Sequence, residues 1–174
     1  MTRLTDIQSL VLIQDKQLPV VYLRSIAVIS NFVVTHDTKV IILDLLSLSG
    51  DRFPYGDLGR HIQQELLKSS QLSQDEYLGR LNKVLGSISY LSSDSLVDLL
   101  EQLKLLKLEG SLAGIGQVVV NGMNKWYHQN ISAGKRAMEY LRIMMMLKEI
   151  SANTTTQIIM TDNEYVGAQS VMAS

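Results

Sequence analysis

Lys125, Trp126, Tyr127 and His128 place a cation, two aromatic rings and an imidazole on four consecutive residues, and Trp126 is the only tryptophan of the chain. Such residues can hold a nucleic acid, a base stacking on an aromatic ring while Lys and His meet phosphate. They can equally close a helix, with the rings in the core and the polar groups in solvent. Between Met123 and Ile150 the cations Lys125, Lys135, Arg136, Arg142 and Lys148 outnumber the acids Glu139 and Glu149. A patch of that kind would bind RNA backbone with strong salt dependence. The alternative is a solvated helix face, on which Lys135 and Glu139 stand at i,i+4 spacing. The expected RNA-contact set is Lys125, His128, Lys135, Arg136 and Arg142, and the expected partner is a structured RNA or one with a single-stranded end.

Other chemistry is sparse. Gly114-Ile-Gly116 has the look of a phosphate loop but lacks the further Gly and Lys that such loops need. These glycines instead suit a tight turn and a close approach of neighbouring backbone. Asp162 follows an apolar run and is the one position where a divalent metal is considered; no other cofactor is expected. His36, His61 and His128 are far apart, and no Ser sits in a nucleophile elbow. No enzymatic function is expected. Met138 and Met144-Met145-Met146 can fill core gaps or form an adaptable binding groove.

The totals bound the class. A chain of 174 residues with 46% apolar residues can bury a core, and a net charge of −1 argues against nucleic-acid binding over the whole surface. The absence of cysteine excludes disulfides and thiolate metal sites. No apolar run is read as approaching the roughly 18 residues of a membrane span. The expectation is a soluble, cytoplasmic protein without membrane contact.

The elements that must position these residues read as helices. Pro19 opens one that runs to about Val34. Asp37 caps a second over Val40 to Leu48, ended by Gly50. A third covers about Leu58 to Ser69, and Ser73-Gln-Asp-Glu76 forms a capping box for a fourth through Ile88. Ser93-Asp94 cap a helix with Leu96, Leu99, Leu100, Leu103, Leu106 and Leu108 on its apolar face, closed by Gly110. A helix over Gly114–Asn130 and another over Ala133–Ile150 complete the set. Gln157–Thr161 reads as a short buried strand, followed by a turn at Asp162-Asn163-Glu164. It must pair within a sheet, with another chain, or with the N-terminal segment. The expected fold is mostly α, a HEAT-like antiparallel helical repeat array with one C-terminal strand. Its division is 1–150 for the helical domain and 151–174 for a strand-containing tail.

The run Gly114-Ile-Gly-Gln-Val-Val-Val-Asn-Gly-Met-Asn-Lys-Trp126-Tyr127 resembles the Gly-x-Gly helix ending in Trp-Tyr of the TROVE domain of Ro ribonucleoproteins. The order of segments from about Val40 to Asn130 is similar too, including the Ser-Gly-Asp-Arg turn at 49–52. Ile158-Ile-Met-Thr-Asp-Asn-Glu164 looks like the strand and turn of the von Willebrand A domain that follows TROVE in those proteins. The resemblance implies a helical-repeat RNA-binding module and a metal role for Asp162. Val118, Val119, Val120 and Asn121 replace basic residues of the family, His128 replaces an Asn, and the Asp-x-Ser-x-Ser metal loop is absent. The alternative is a structural or assembly module, joining a second copy or a protein partner through Leu/Met-rich faces and strand 157–161.

Overall fold

The computed structural model describes residues 10–45, 52–68, 71–93, 95–108, 114–122, 133–153 and 156–163. They form β1 (Leu10–Asp15), α1 (Leu18–Thr35), β2 (Lys39–Leu45), α2 (Tyr55–Lys68), α3 (Gln74–Gly86), β3 (Ile88–Ser93), α4 (Leu96–Leu108), β4 (Ile115–Asn121), α5 (Ala133–Asn153) and β5 (Gln157–Asn163). The strands make one five-stranded sheet in the order β1-β5-β4-β2-β3. Every pairing is parallel.

This is an α/β fold, which corrects the expectation of a mostly α, HEAT-like repeat array. The runs assigned to helices over Val40–Leu48 and Gly114–Asn130 contain β2 and β4. Val40-Ile-Ile-Leu43 and Val118-Val-Val120 are short, rich in β-branched residues and continuously apolar. Such runs suit strands covered on both faces, and they carry no alternation to separate them from buried helix.

Both faces are indeed covered. Ile41, Leu43, Leu45, Val118, Val120, Ile158 and Met160 pack against Leu99, Leu100 and Leu103 of α4 and Ile143, Leu147 and Ile150 of α5. The intervening residues Val40, Ile42, Val119 and Ile159 meet Val21, Ile26, Ile29 and Val33 of α1, Leu58, Ile62 and Leu66 of α2, and Leu81 and Val84 of α3. The period-2 alternation of strand side chains thus feeds two separate cores.

Several local expectations hold. Pro19 lies in the first turn of α1. Ser73 and Glu76 form the capping box of α3; at the start of α4, where Ser93-Asp94 were expected to cap, it is Ser95 Oγ that accepts from the Asp98 N–H, while Ser93 Oγ donates to Gln102. Strand 157–161 lies within β5 and pairs on one side with β4 and on the other with the N-terminal β1. β5 is therefore part of the same sheet as the segment 10–121, and α5 runs across the 150/151 division. Gly114 has φ +82°, as a tight turn requires. A Cβ on Gly116 would collide with Thr38 and come within 3.0 Å of the Phe32 ring. Gly116 also falls where the β2–β4 register slips between Lys39 and Val40, so it is the extra residue of a bulge. Among the described residues α1 is the helix long and apolar enough to cross a membrane, which the sequence reading had not found. Here its residues Val21, Ile26, Ile29 and Val33 lie on the sheet. The proposed caps Gly50 and Gly110, and Glu164, lie outside the described residues.

Candidate functional site

Open parallel sheets bind ligands beyond the carboxyl ends of their strands, where the connections of adjacent strands leave to opposite faces. Here that point lies between β2, which leads to α2 on one face, and β4, which leads to α5 on the other. The two strands end in Asp44-Leu45 and Asn121, and Asp44 is directly opposite Asn121. Both are buried, as is Thr161 on β5.

These three side chains form a directional chain. The Gly122 N–H donates to Thr161 Oγ1 at 2.9 Å. The Thr161 hydroxyl donates to Asn121 Oδ1 at 2.6 Å, and Asn121 Nδ2 donates to Asp44 Oδ1 at 2.8 Å. The other Asp44 oxygen accepts from the Phe53 N–H at 2.9 Å and from the Tyr90 hydroxyl at 2.5 Å. Gly122, at φ +85°, turns its amide back towards the sheet. The carboxylate is thereby supplied with donors from β3, β4 and the segment after β2. A buried carboxylate so saturated is a strong tie between these segments.

Beside it lies a cavity of about 440 Å³ lined by Arg52, Phe53, Tyr55, Ile88 and Tyr90. Tyr55 and Tyr90 meet edge to face, with centroids 5.1 Å apart and an interplanar angle of 89°. Phe53 meets Tyr55 in the same manner at 6.4 Å. Burial, reinforced by the hydrogen bond and the negative charge of Asp44, pushes the Tyr90 hydroxyl well above the usual tyrosine range; Arg52 opposes the shift. Burial alone raises Tyr55.

A second polar pair escaped the sequence reading. Ser30 Oγ and His61 Nδ1 are 2.7 Å apart, joining α1 to α2. Ser30 is completely buried, so its hydroxyl cannot reach a substrate, and the pair acts as a strut. His61 also borders an apolar groove of about 420 Å³ lined by Leu18, Pro19, Tyr22, Leu23 and Ile26 of α1 and Pro54 and Asp57.

The expected RNA-contact residues are not gathered into a site by the described structure. Lys125 and His128, with Trp126 and Tyr127, lie outside the described residues. Lys135 is exposed on α5; the backbone of Arg136 is in the same helix, but its side chain lies outside the description. Arg142 is 3.2 Å from Glu139, itself only 8% exposed, and so neutralises a nearly buried carboxylate. The RNA-binding expectation thus gains no support here. Asp162 falls in β5 opposite Gln14; among the described residues no group of three or more His, Asp or Glu could hold a metal.

α5 carries two apolar seams. Ile143, Leu147 and Ile150 face the sheet, with Met144 and Met146 packed beside them. On the opposite side Met138, Leu141 and Met145 are 55%, 58% and 69% exposed. At the sheet's rim, β1 pairs only with β5 among the described residues, and its Leu12 is half exposed. No protein family and no curated protein matches the chain.

Proposed function

We propose that this chain is a non-catalytic assembly module that joins a second copy of itself through the outer seam of α5. The observation that carries the reading is the exposed stripe Met138, Leu141 and Met145, at i, i+3 and i+7, on a helix whose other seam is already buried. One apolar seam anchors a helix to its own core; a second is suited to a partner helix. Methionine side chains adapt to such a surface at little cost.

Charge placement favours a copy in antiparallel orientation. Lys135 and Glu149 each stand seven residues from Arg142, on the same flank of the stripe. A two-fold axis near Arg142 brings Lys135 of one copy opposite Glu149 of the other, twice. The net charge of −1 gives two copies little mutual repulsion. The closed hydrogen-bond chain at Asp44 supports the non-catalytic part, because its carboxylate already has its donors.

Sedimentation velocity tests this reading. The wild-type chain is expected to dimerise below about 100 μM, and the dimer to persist between about 50 and 500 mM salt, since apolar burial is not screened. Leu141→Asp, at an exposed position, should leave circular dichroism unchanged and weaken association at least about tenfold. A wild-type chain monomeric throughout that range, or a Leu141→Asp chain that dimerises equally well, would overturn the proposal.

A further inference from the structure

The cavity beside Asp44 differs in kind from the α5 seam. Among the described residues that line it, three are rings and the one charged group is a cation. Tyr90 is fixed from below by its hydroxyl bond to Asp44. Tyr55 stands perpendicular to it, so the two rings form a right-angled corner, and Phe53 is buried behind Tyr55. Ile88 closes the floor on the strand side. The volume of about 440 Å³ lies in the range of small-molecule pockets.

Arg52 stands exposed at the rim. Among the described residues no carboxylate pairs with it, and none lines the cavity. Asp44, beside the cavity, is already engaged by Tyr90, Phe53 and Asn121. The guanidinium therefore offers its planar fork of donors outward, next to an apolar corner. Planar forks match carboxylate and phosphate bidentately, and aromatic walls favour a flat ring in edge-to-face or offset contact. The cavity lies over the edge strand β3, from Ile88 at its amino end to Tyr90, and Phe53 links it to Asp44 near the carboxyl end of β2.

We infer that this corner is a binding site for an aromatic ring bearing an anionic group, the ring seated in the angle that Tyr55 and Tyr90 make and the anion on Arg52. Phe53 and Tyr90 both line the cavity and both donate to Asp44, one from its N–H and the other from its hydroxyl, so the site is coupled to the hydrogen-bond chain through these two residues. The ring supplies contact area and the anion supplies orientation; neither half suffices alone.

Amide chemical-shift titration with four probes tests this. Phenyl phosphate and benzoate are expected to saturate with submillimolar dissociation constants and to move the amides of Arg52, Phe53 and Tyr55. Inorganic phosphate and benzyl alcohol, each lacking one half, should bind at least about tenfold more weakly. The tighter of the two aromatic anions identifies the preferred anionic group. Arg52→Ala, at an exposed position, should weaken phenyl phosphate and benzoate at least about fivefold while leaving benzyl alcohol unchanged. The inference fails if neither aromatic anion saturates by about 10 mM, or if Arg52→Ala binds both as the wild type does.

Discussion

Tyr90 shows how one side chain serves two neighbours, its ring walling the cavity and its hydroxyl holding Asp44. Because its folded-state pKa is raised above the ordinary value near 10, the neutral hydroxyl stabilises the fold. That contribution is complete below about pH 10 and is lost as the pH rises through the folded-state value. Tyr90→Phe removes a hydrogen bond to a carboxylate and should cost about 1.5 kcal/mol near neutral pH. Urea unfolding from pH 7 to 11 should show the gap between wild type and Tyr90→Phe narrowing above about pH 10. A gap independent of pH would mean that neither burial nor Asp44 raises the Tyr90 hydroxyl above its ordinary range. The residues of this network were individually visible in the sequence. Asp44 follows Val-Ile-Ile-Leu, Asn121 follows Val-Val-Val, and Thr161 follows Ile-Ile-Met. A polar residue at the carboxyl end of each apolar run was the available signal. It stayed hidden because those runs were not all recognised as strands, and Asn121 lies 77 residues from Asp44.

At the scale of elements, legibility followed how much of each element's character is local. The capping box of α3, the proline of α1 and the leucine spacing of α4 act within one or two turns, and all three helices were readable. β2 and β4 depend on helices that cover them from both sides, which no local pattern reports. β3, Ile88-Ser-Tyr-Leu-Ser-Ser93, is an edge strand rich in serine, and it reads as a junction between helices. α5 was found, but the assignment of its methionines was divided by the structure: Met144 and Met146 pack on the core while Met138 and Met145 point away. This division makes a prediction for the element. Leu147→Ala, in the fully buried seam, should cost about 2–5 kcal/mol in urea unfolding. Met145→Ala should change the stability of the monomer by less than about 0.5 kcal/mol. Equal costs at the two positions would contradict the two-seam description.

For the whole molecule, sheet order matters more than any single contact. β5 lies between β1 and β4 and is hydrogen-bonded on both sides. Removing it leaves β1 with no neighbour among the described strands and strips Ile158, Ile159 and Met160 from the two cores. A chain ending after Asn153 is therefore expected to lose cooperative unfolding altogether. A sigmoidal urea transition in that truncation would show that β1 and β5 are peripheral to stability.

The same arrangement fixes the timing of folding. β1 is the first of the described strands in chain order, and the strand it needs begins 142 residues after β1 ends, at Gln157. With no hairpin in a wholly parallel sheet, every ladder closes a long loop, and such topologies fold slowly. During synthesis β1 and α1 must wait as an apolar, unpaired segment until nearly the whole described chain has emerged. The insertion of β5 between β1 and β4 is thus the step that completes the sheet.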